Sequence, residues 1–161
     1  MKILVSNDDG YFAPGLNILV DNLKKIAEVV VVAPDKNKSG SSSSLSLNKG
    51  ITVNKINPML YSVGGTPTDC VHIALTGLIP FKPDMVISGI NDGANMGDDT
   101  IYSGTVGAAM EGFLLGIPSI AVSMGSSEPK HFDTAAKVIL DLIERHSRYP
   151  HKNVTLLNVN V

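Results

Sequence analysis

A chain of 161 residues with 43% apolar and 17% charged residues has the make-up of one ordinary folded domain, which argues against intrinsic disorder. The formal charge of −2 leaves no cationic surplus to neutralise a phosphate backbone, so no nucleic-acid polymer is expected as a partner. Cys70 is the single cysteine, and the most apolar long stretch, Gly112 to Gly125, contains Pro118 and falls short of the roughly 20 residues a membrane span needs. No basic leader precedes a long apolar run at Met1 to Ser6, so no secretion signal and no membrane association are expected, and the expected compartment is the cytoplasm.

In chain order, Ile3-Leu4-Val5 reads as a first strand and Val29 to Ala33 as a second. Both are apolar at consecutive positions, as strands of a parallel sheet covered on both faces must be. Between them Leu16, Val20, Leu23 and Ala27 recur at helical spacing behind Pro14-Gly15, which completes a βαβ unit. A loop rich in Ser, Lys and Gly follows from Pro34 to Ser44. Two short alternating strands come next, Ile51 to Ile56 and Leu60 to Val63, with Asn57-Pro58 as their turn. Thr66 to Leu78 reads as a helix and Met85 to Ile90 as a strand, before a Gly/Asn/Asp loop from Asn91 to Asp99. A helix of small residues spans about Thr105 to Leu115 and leads to a strand from Ile120 to Met124. Phe132 to Arg145 is amphipathic, with Ala135, Ala136, Ile139 and Leu142 or Ile143 on one face. A last strand begins near Val154, with Leu156, Leu157 and Val159 facing a core. Strands alternating with helices predict a doubly wound, mostly parallel sheet in a Rossmann-like three-layer α/β/α arrangement, with an inserted β-hairpin.

Such sheets bind ligands beyond the carboxyl ends of their strands. The first strand delivers Asn7, Asp8 and Asp9 there; the second leads to Asp35, Lys36, Ser39 and Ser41; Met85 to Ile90 delivers Asn91, Asp92 and Asn95. This oxygen-rich set suits a hard divalent cation such as magnesium or manganese. The pair Asp8-Asp9 is its strongest element, because a cation turns the repulsion between adjacent carboxylates into attraction. Spacing alone leaves a second reading open, in which one Asp caps a turn and the other is solvated. Ser103-Gly104-Thr105 opens a helix, where free N–H groups attract a phosphate, or where Ser103 serves as an N-cap with no ligand. Gly107, Ala108, Ala109 and Gly112 read as close packing of that helix on the sheet, and His72 and Cys70 as packing residues. No Walker, G-x-G-x-x-G, zinc or nucleophile-elbow pattern is present.

Ile3 to Gly10 followed by Gly15 closely resembles the amino terminus of the SurE (survival protein E) nucleotidase family. Ala33-Pro34-Asp35 through Ser39-Gly40-Ser41, Val63 to Cys70, Ser88 to Asn95 and Ile101 to Val106 resemble four further motifs of that family, in its order and over nearly the whole chain. The resemblance implies a single α/β nucleotidase domain over residues 1–161 that removes phosphate from nucleoside 5'- and 3'-monophosphates. It implies one divalent cation (magnesium, manganese or similar) held by Asp8, Asp9, Ser39 and Asn91, with Asp8 and Asp9 as the catalytic residues. Asn95, Ser103, Gly104 and Thr105 would cradle the phosphate. Family members assemble as homodimers or homotetramers and continue past the position of Val161 with a carboxyl-terminal segment.

Two other readings compete with this one. A phospho-accepting receiver domain also carries an acidic pair after its first strand. It further needs an Asp ending the third parallel strand and a Lys ending the fifth, and here Ser88-Gly89-Ile90-Asn91 and Gly125-Ser126-Ser127 stand at those places. A non-catalytic nucleotide-binding module differs from an enzyme in lacking turnover.

Overall fold

A computed structural model describes residues 1–125 and 130–161. Ser126 and Ser127, which enter the comparison with receiver domains, lie outside the described residues. The strands are β1 (Lys2–Ser6), β2 (Glu28–Pro34), β3 (Val53–Asn57), β4 (Leu60–Val63), β5 (Met85–Asn91), β6 (Ser119–Ser123) and β7 (Leu156–Asn160). The helices are α1 (Pro14–Leu23), α2 (Pro67–Ile73), the single turn α3 (Asp99–Tyr102), α4 (Gly104–Leu114) and α5 (Phe132–Arg148). All seven strands form one sheet in the order β3-β4-β2-β1-β5-β6-β7, parallel except for the β3–β4 hairpin. The expected hairpin therefore forms, and β4 is also a full member of the parallel sheet, with Val31 opposite Leu60 and Ala33 opposite Ser62.

The consecutive apolar residues of the strands divide between the two faces, as the period of two demands. Ile3, Val5, Val29, Val31, Met85 and Ile87 pack with Leu16, Leu19 and Leu23 of α1 and with Ala135, Ala136, Ile139 and Ile143 of α5. Leu4, Val30, Val32 and Val86 pack with Cys70, Val71 and Ala74 on the α2 side and with Ala108 of α4. Each fully buried Leu or Ile contributes about 1.5–3 kcal/mol relative to exposure, so both helical layers are held tightly to the sheet.

The boundaries differ from the expectation where backbone bonding overrides periodicity. α1 stops at Leu23, and Ala27 closes a further turn by donating to the Leu23 carbonyl at 3.0 Å. The helix expected through Leu78 is α-helical only to Ile73 and then widens into a π-helical turn over Ala74–Leu78, closed by Ile79 donating to Ala74. α5 runs to Arg148, and it is Ile143 that is buried, Leu142 only partly. β7 begins at Leu156, and as an edge strand it leaves Leu157 37% exposed instead of facing the core.

The winding of the sheet reverses between the parallel strands β1 and β5: β2 and β4 build outward on one side, β6 and β7 on the other. The topological switch point, where an open α/β sheet has its crevice, thus lies at the carboxyl ends of β1 and β5.

Candidate active site

β1 ends at Ser6, and the side chain of Asn7 folds the next turn by donating to the Gly10 carbonyl at 2.9 Å and accepting from the Gly10 N–H at 3.3 Å. Gly10 has φ +105, and a Cβ there would stand 3.3 Å from the backbone of Lys36, so the turn needs glycine. The turn carries Asp8 into the interior at 3% exposure and leaves Asp9 half-buried. The N–H of Lys38 donates to the Asp8 carbonyl at 2.7 Å, which fixes the loop after β2 against the loop after β1.

The Asp8 carboxylate faces the first turn of α4. The Thr105 hydroxyl donates to its Oδ1, and a Cβ on Gly104 would come within 2.9 Å of the Asp8 Cβ. Ser103 caps that helix by accepting from the Val106 N–H at 3.1 Å. The sequence offered an incoming phosphate or a bare cap at this helix start; the structure shows the cap, and also shows a resident anion, since Asp8 lies where the helix N-terminus favours negative charge. Burial pushes the Asp8 carboxyl up, against the lowering effect of the Thr105 hydroxyl and of the Asp8 and Thr105 N–H groups. Asp9 is pushed up to about 6, first by burial and then by the charge of Asp8, with Asp92 adding to the repulsion and Lys130 opposing it. Lys130 pairs with Asp92.

The other expected site residues sit around this pair. Ser39 is exposed in the loop after β2, and its N–H donates at 2.8 Å to the side chain of Asn37, whose own amide reaches Asp9 Oδ1 at 3.5 Å. Asn91 ends β5, donating from its amide to the Gly93 carbonyl at 2.8 Å. Ser6 pairs with Ser88 in the sheet register, so Asn91 stands as many residues past that pair as Asp9 does. Asn95 is buried and held from the far side of the sheet. Its amide donates to Ser123 Oγ at 2.8 Å, its N–H to Asn160 Oδ1 at 2.8 Å, and its carbonyl accepts from the side chains of Asn158 and Asn160.

Three buried hydroxyls, Ser6, Ser88 and Thr68, have no hydrogen-bond partner, and Ser6 and Ser88 face each other across the β1–β5 switch point. Among the described residues no three His, Cys, Asp or Glu side chains converge as a metal-ligating group. A cation here would therefore rest on two carboxylates and neutral oxygens, a donor set that suits a hard divalent ion and not zinc. Two adjacent carboxyls pushed up by burial, Asp9 by the charge of Asp8 as well, are what such an ion would relieve, so the residues present fit it.

Several participants escaped the sequence reading. Asp69 completes a capping box with Thr66 and also accepts from the Ser46 N–H at 2.8 Å, so it ties the serine-rich loop to α2; the Thr-x-x-Asp spacing was a readable signal. Burial works to raise its carboxyl, but the N–H groups of Ser46 and Thr66 hold it below the usual range. Asn37, Asn158 and Asn160 carried no pattern that marks them. His72 is not simply packed: its Nδ1 lies 2.7 Å from Glu111 Oε1, joining α2 to α4. Gly112 does pack on the sheet, 2.7 Å from Val86 through an added Cβ, whereas Gly107 makes room for the Ser42 carbonyl of the serine-rich loop.

The order of strands, the reversal of winding between β1 and β5, and an acidic pair braced by a helix N-terminus at that point define a Rossmann-like α/β protein with a polar candidate site at its switch point. The family model described as "Survival protein SurE" matches residues 3–161, and the chain belongs to the SurE family. It is 61% identical over all 161 residues to "5'-nucleotidase SurE" of Methylobacillus flagellatus and 59% identical to the protein of the same name from Nitrosomonas eutropha, spanning 65% of the length of each. The crystal structure of the SurE protein from Aquifex aeolicus superposes with a TM-score of 0.94 at 47% identity, over 100% of this chain and 66% of that one. The chain thus spans just under two-thirds of the relatives it matches.

Proposed function

We propose that residues 1–161 form one α/β nucleotidase unit that hydrolyses the phosphomonoester of nucleoside 5'- and 3'-monophosphates with the help of a divalent cation. The observation that carries this reading is the Asp8-Asp9 pair at the switch point, with Asp8 bonded to the first turn of α4. The names of the relatives supply the substrate class. Asp8 and Asp9 are assigned as catalytic residues and cation ligands, joined by Ser39 and Asn91; Asn95, Ser103, Gly104 and Thr105 are assigned to the phosphate. When bound, the cation supplies electrostatic stabilisation to the phosphoryl group in transfer. Thr105 fixes the orientation of Asp8 through its hydroxyl, and Ser123 fixes that of Asn95, leaving one of the two amide hydrogens of Asn95 for a phosphate oxygen. Ser103 holds the first turn of α4 so that its N–H groups meet negative charge. A cytoplasmic location and a homodimeric or homotetrameric assembly belong to the same proposal. No helix among the described residues is long and apolar enough to cross a membrane.

The test is turnover on a panel of mononucleotides with magnesium or manganese, and with a chelator. Activity that appears with the metal and vanishes reversibly with the chelator is expected. Metal-independent turnover, or none on any mononucleotide, refutes the assignment and leaves a binding module.

A further inference from the structure

The face of α4 that braces Asp8 continues down the helix. Gly104, Gly107, Ala108 and Glu111 recur at i, i+3, i+4 and i+7, one stripe of its surface. Each meets a different support of the site. A Cβ on Gly104 would stand 2.9 Å from the Asp8 Cβ and 3.0 Å from Pro67, the first residue of α2. One on Gly107 would stand 2.6 Å from the Ser42 carbonyl of the serine-rich loop, and Ala108 packs with Cys70, Val71 and Ala74 on the α2 side. Glu111 ends the stripe at His72, its Oε1 lying 2.7 Å from Nδ1.

Two costs mark Glu111. Its side chain is only 11% exposed, against 41% for His72, and it lies near the carboxyl end of α4, where the helix dipole disfavours negative charge. The ring N–H of His72, donating to the carboxylate, is its one side-chain partner among the described residues. The rest of the seam sets the position of α2 along α4 only weakly. Glycine and alanine let two helices approach but give no ridges to lock into grooves, whereas a hydrogen bond is lost within about 1 Å of displacement.

That position matters because the loop after β2 is tied to both sides of the seam. At α2 the N–H of Ser46 donates to Asp69; toward α4 the N–H of Ser42 donates to the Tyr102 carbonyl, and that of Lys38 to the Asp8 carbonyl. A shift of α2 along α4 therefore pulls the two ends of the loop apart, with Ser39 next to Lys38.

We propose that His72 and Glu111 are a positioning pair: their bond fixes α2 along α4, and with it the course of the serine-rich loop and the place of Ser39 beside Asp8. The consequence for a cation rests on the divalent-cation reading above; the placement of the loop does not.

Glu111→Leu and Glu111→Met remove the bond and keep an apolar side chain in its space, while Glu111→Gln keeps an acceptor there. Amide exchange followed by NMR on the metal-free protein should show the N–H groups of Lys38 and Ser42 exchanging about five-fold or more faster in the first two variants, the scale on which such couplings act, with Ser46, which travels with α2, unchanged. Manganese affinity, read by calorimetry, should fall by about the same factor, and Glu111→Gln should restore both readings. Ile143→Val, in the helical layer on the other face of the sheet, lowers stability without touching the seam and should alter neither. Equal acceleration at Lys38, Ser42 and Ser46, or none, overturns the pair's positioning role whether or not manganese binds. The selective pattern in a protein whose wild type binds no manganese upholds the pair and overturns the cation reading. The selective pattern with manganese affinity unaltered upholds the pair's hold on the loop and overturns its link to the cation through Ser39.

Discussion

Thr105→Val tests whether the hydroxyl on Asp8 organises the site or only fills space. Valine has nearly the shape of threonine, and Thr105 is fully buried, so the change removes a donor and leaves the packing. A hydrogen bond to a charged group contributes about 1.5–3 kcal/mol, and its loss leaves an ionised carboxylate buried without that donor. At pH values high enough to ionise Asp8, the metal-free variant should be less stable by about 2 kcal/mol, which lowers Tm by roughly 4–8 °C at this chain length. The Thr105 hydroxyl lowers the Asp8 carboxyl against the raising effect of burial, so removing it raises that carboxyl further. The wild-type advantage is therefore present above the Asp8 titration of the variant. It shrinks as pH falls through that range, because both proteins then carry a protonated Asp8. Magnesium or manganese affinity should drop about 10- to 100-fold, as for other groups that orient a ligand. Thr105→Ser keeps the donor and should keep most of the metal affinity. Denaturant unfolding across pH, paired with metal titration calorimetry, reads all three quantities. A Thr105→Val protein within about 0.5 kcal/mol of wild type at every pH, with unaltered metal affinity, would show that the hydroxyl does not matter to Asp8.

Two further outcomes follow from the same geometry. Asp9, pushed up to about 6 from an ordinary 3.8, keeps its proton in the folded state longer than in the unfolded one, so the metal-free protein should lose stability as pH rises from about 4 to about 6; Asp9→Asn should flatten that slope in thermal melts and reduce metal-supported turnover about 10²–10³-fold, on the scale of losing one preorganised electrostatic group. Gly104→Ala drives a Cβ to 2.9 Å from Asp8 and 3.0 Å from Pro67 and should cost about 1–3 kcal/mol with a large loss of turnover, whereas Gly50→Ala, with nothing within 4 Å, should change neither.

The layers were legible because the strands are buried on both faces: runs such as Glu28–Pro34 have no polar alternation and so read as parallel strands. Strand order was not legible, since nothing local in Leu60–Val63 says that it pairs with β2 as well as with β3. The π-helical turn after Ile73 was hidden for a similar reason, because helical periodicity does not distinguish a bond from Ile79 to Ala74 from a regular turn. At the site, the acidic pair showed itself by position after a strand, and the helix start by Ser103. The link between them spans 97 residues, and the one from Asn95 to Asn160 spans 65; polar pairs of that separation leave no periodic trace. Asp69 is the instructive miss, as its capping spacing was plain while its second task, holding Ser46, depends on the folded loop.

That loop also bears on how the proposed cation site could rest partly on a segment without regular structure. Between β2 and β3 the serine-rich chain is fastened by four bonds to three places in the fold: Lys38 to the Asp8 carbonyl, Ser42 to the Tyr102 carbonyl at 3.0 Å, and at the start of α2 the Ser44 carbonyl to the Thr66 hydroxyl at 2.6 Å and Ser46 to Asp69. Ser42 takes φ +54, a left-handed conformation unusual for a residue with a side chain, and it sits where Gly107 leaves room for its carbonyl. These contacts bond backbone groups of the loop to α2, to α4's approach and to the β1 turn, so its course is set by the fold before any ligand arrives. Ser39, exposed in that loop, is then placed through Lys38, whose N–H holds the Asp8 backbone carbonyl, and through Asn37, which accepts from the Ser39 N–H and reaches the Asp9 carboxylate. What the proposed cation would add there is positive charge, because the charge of Asp8 holds the Asp9 carboxyl up and a cation beside the pair would offset it.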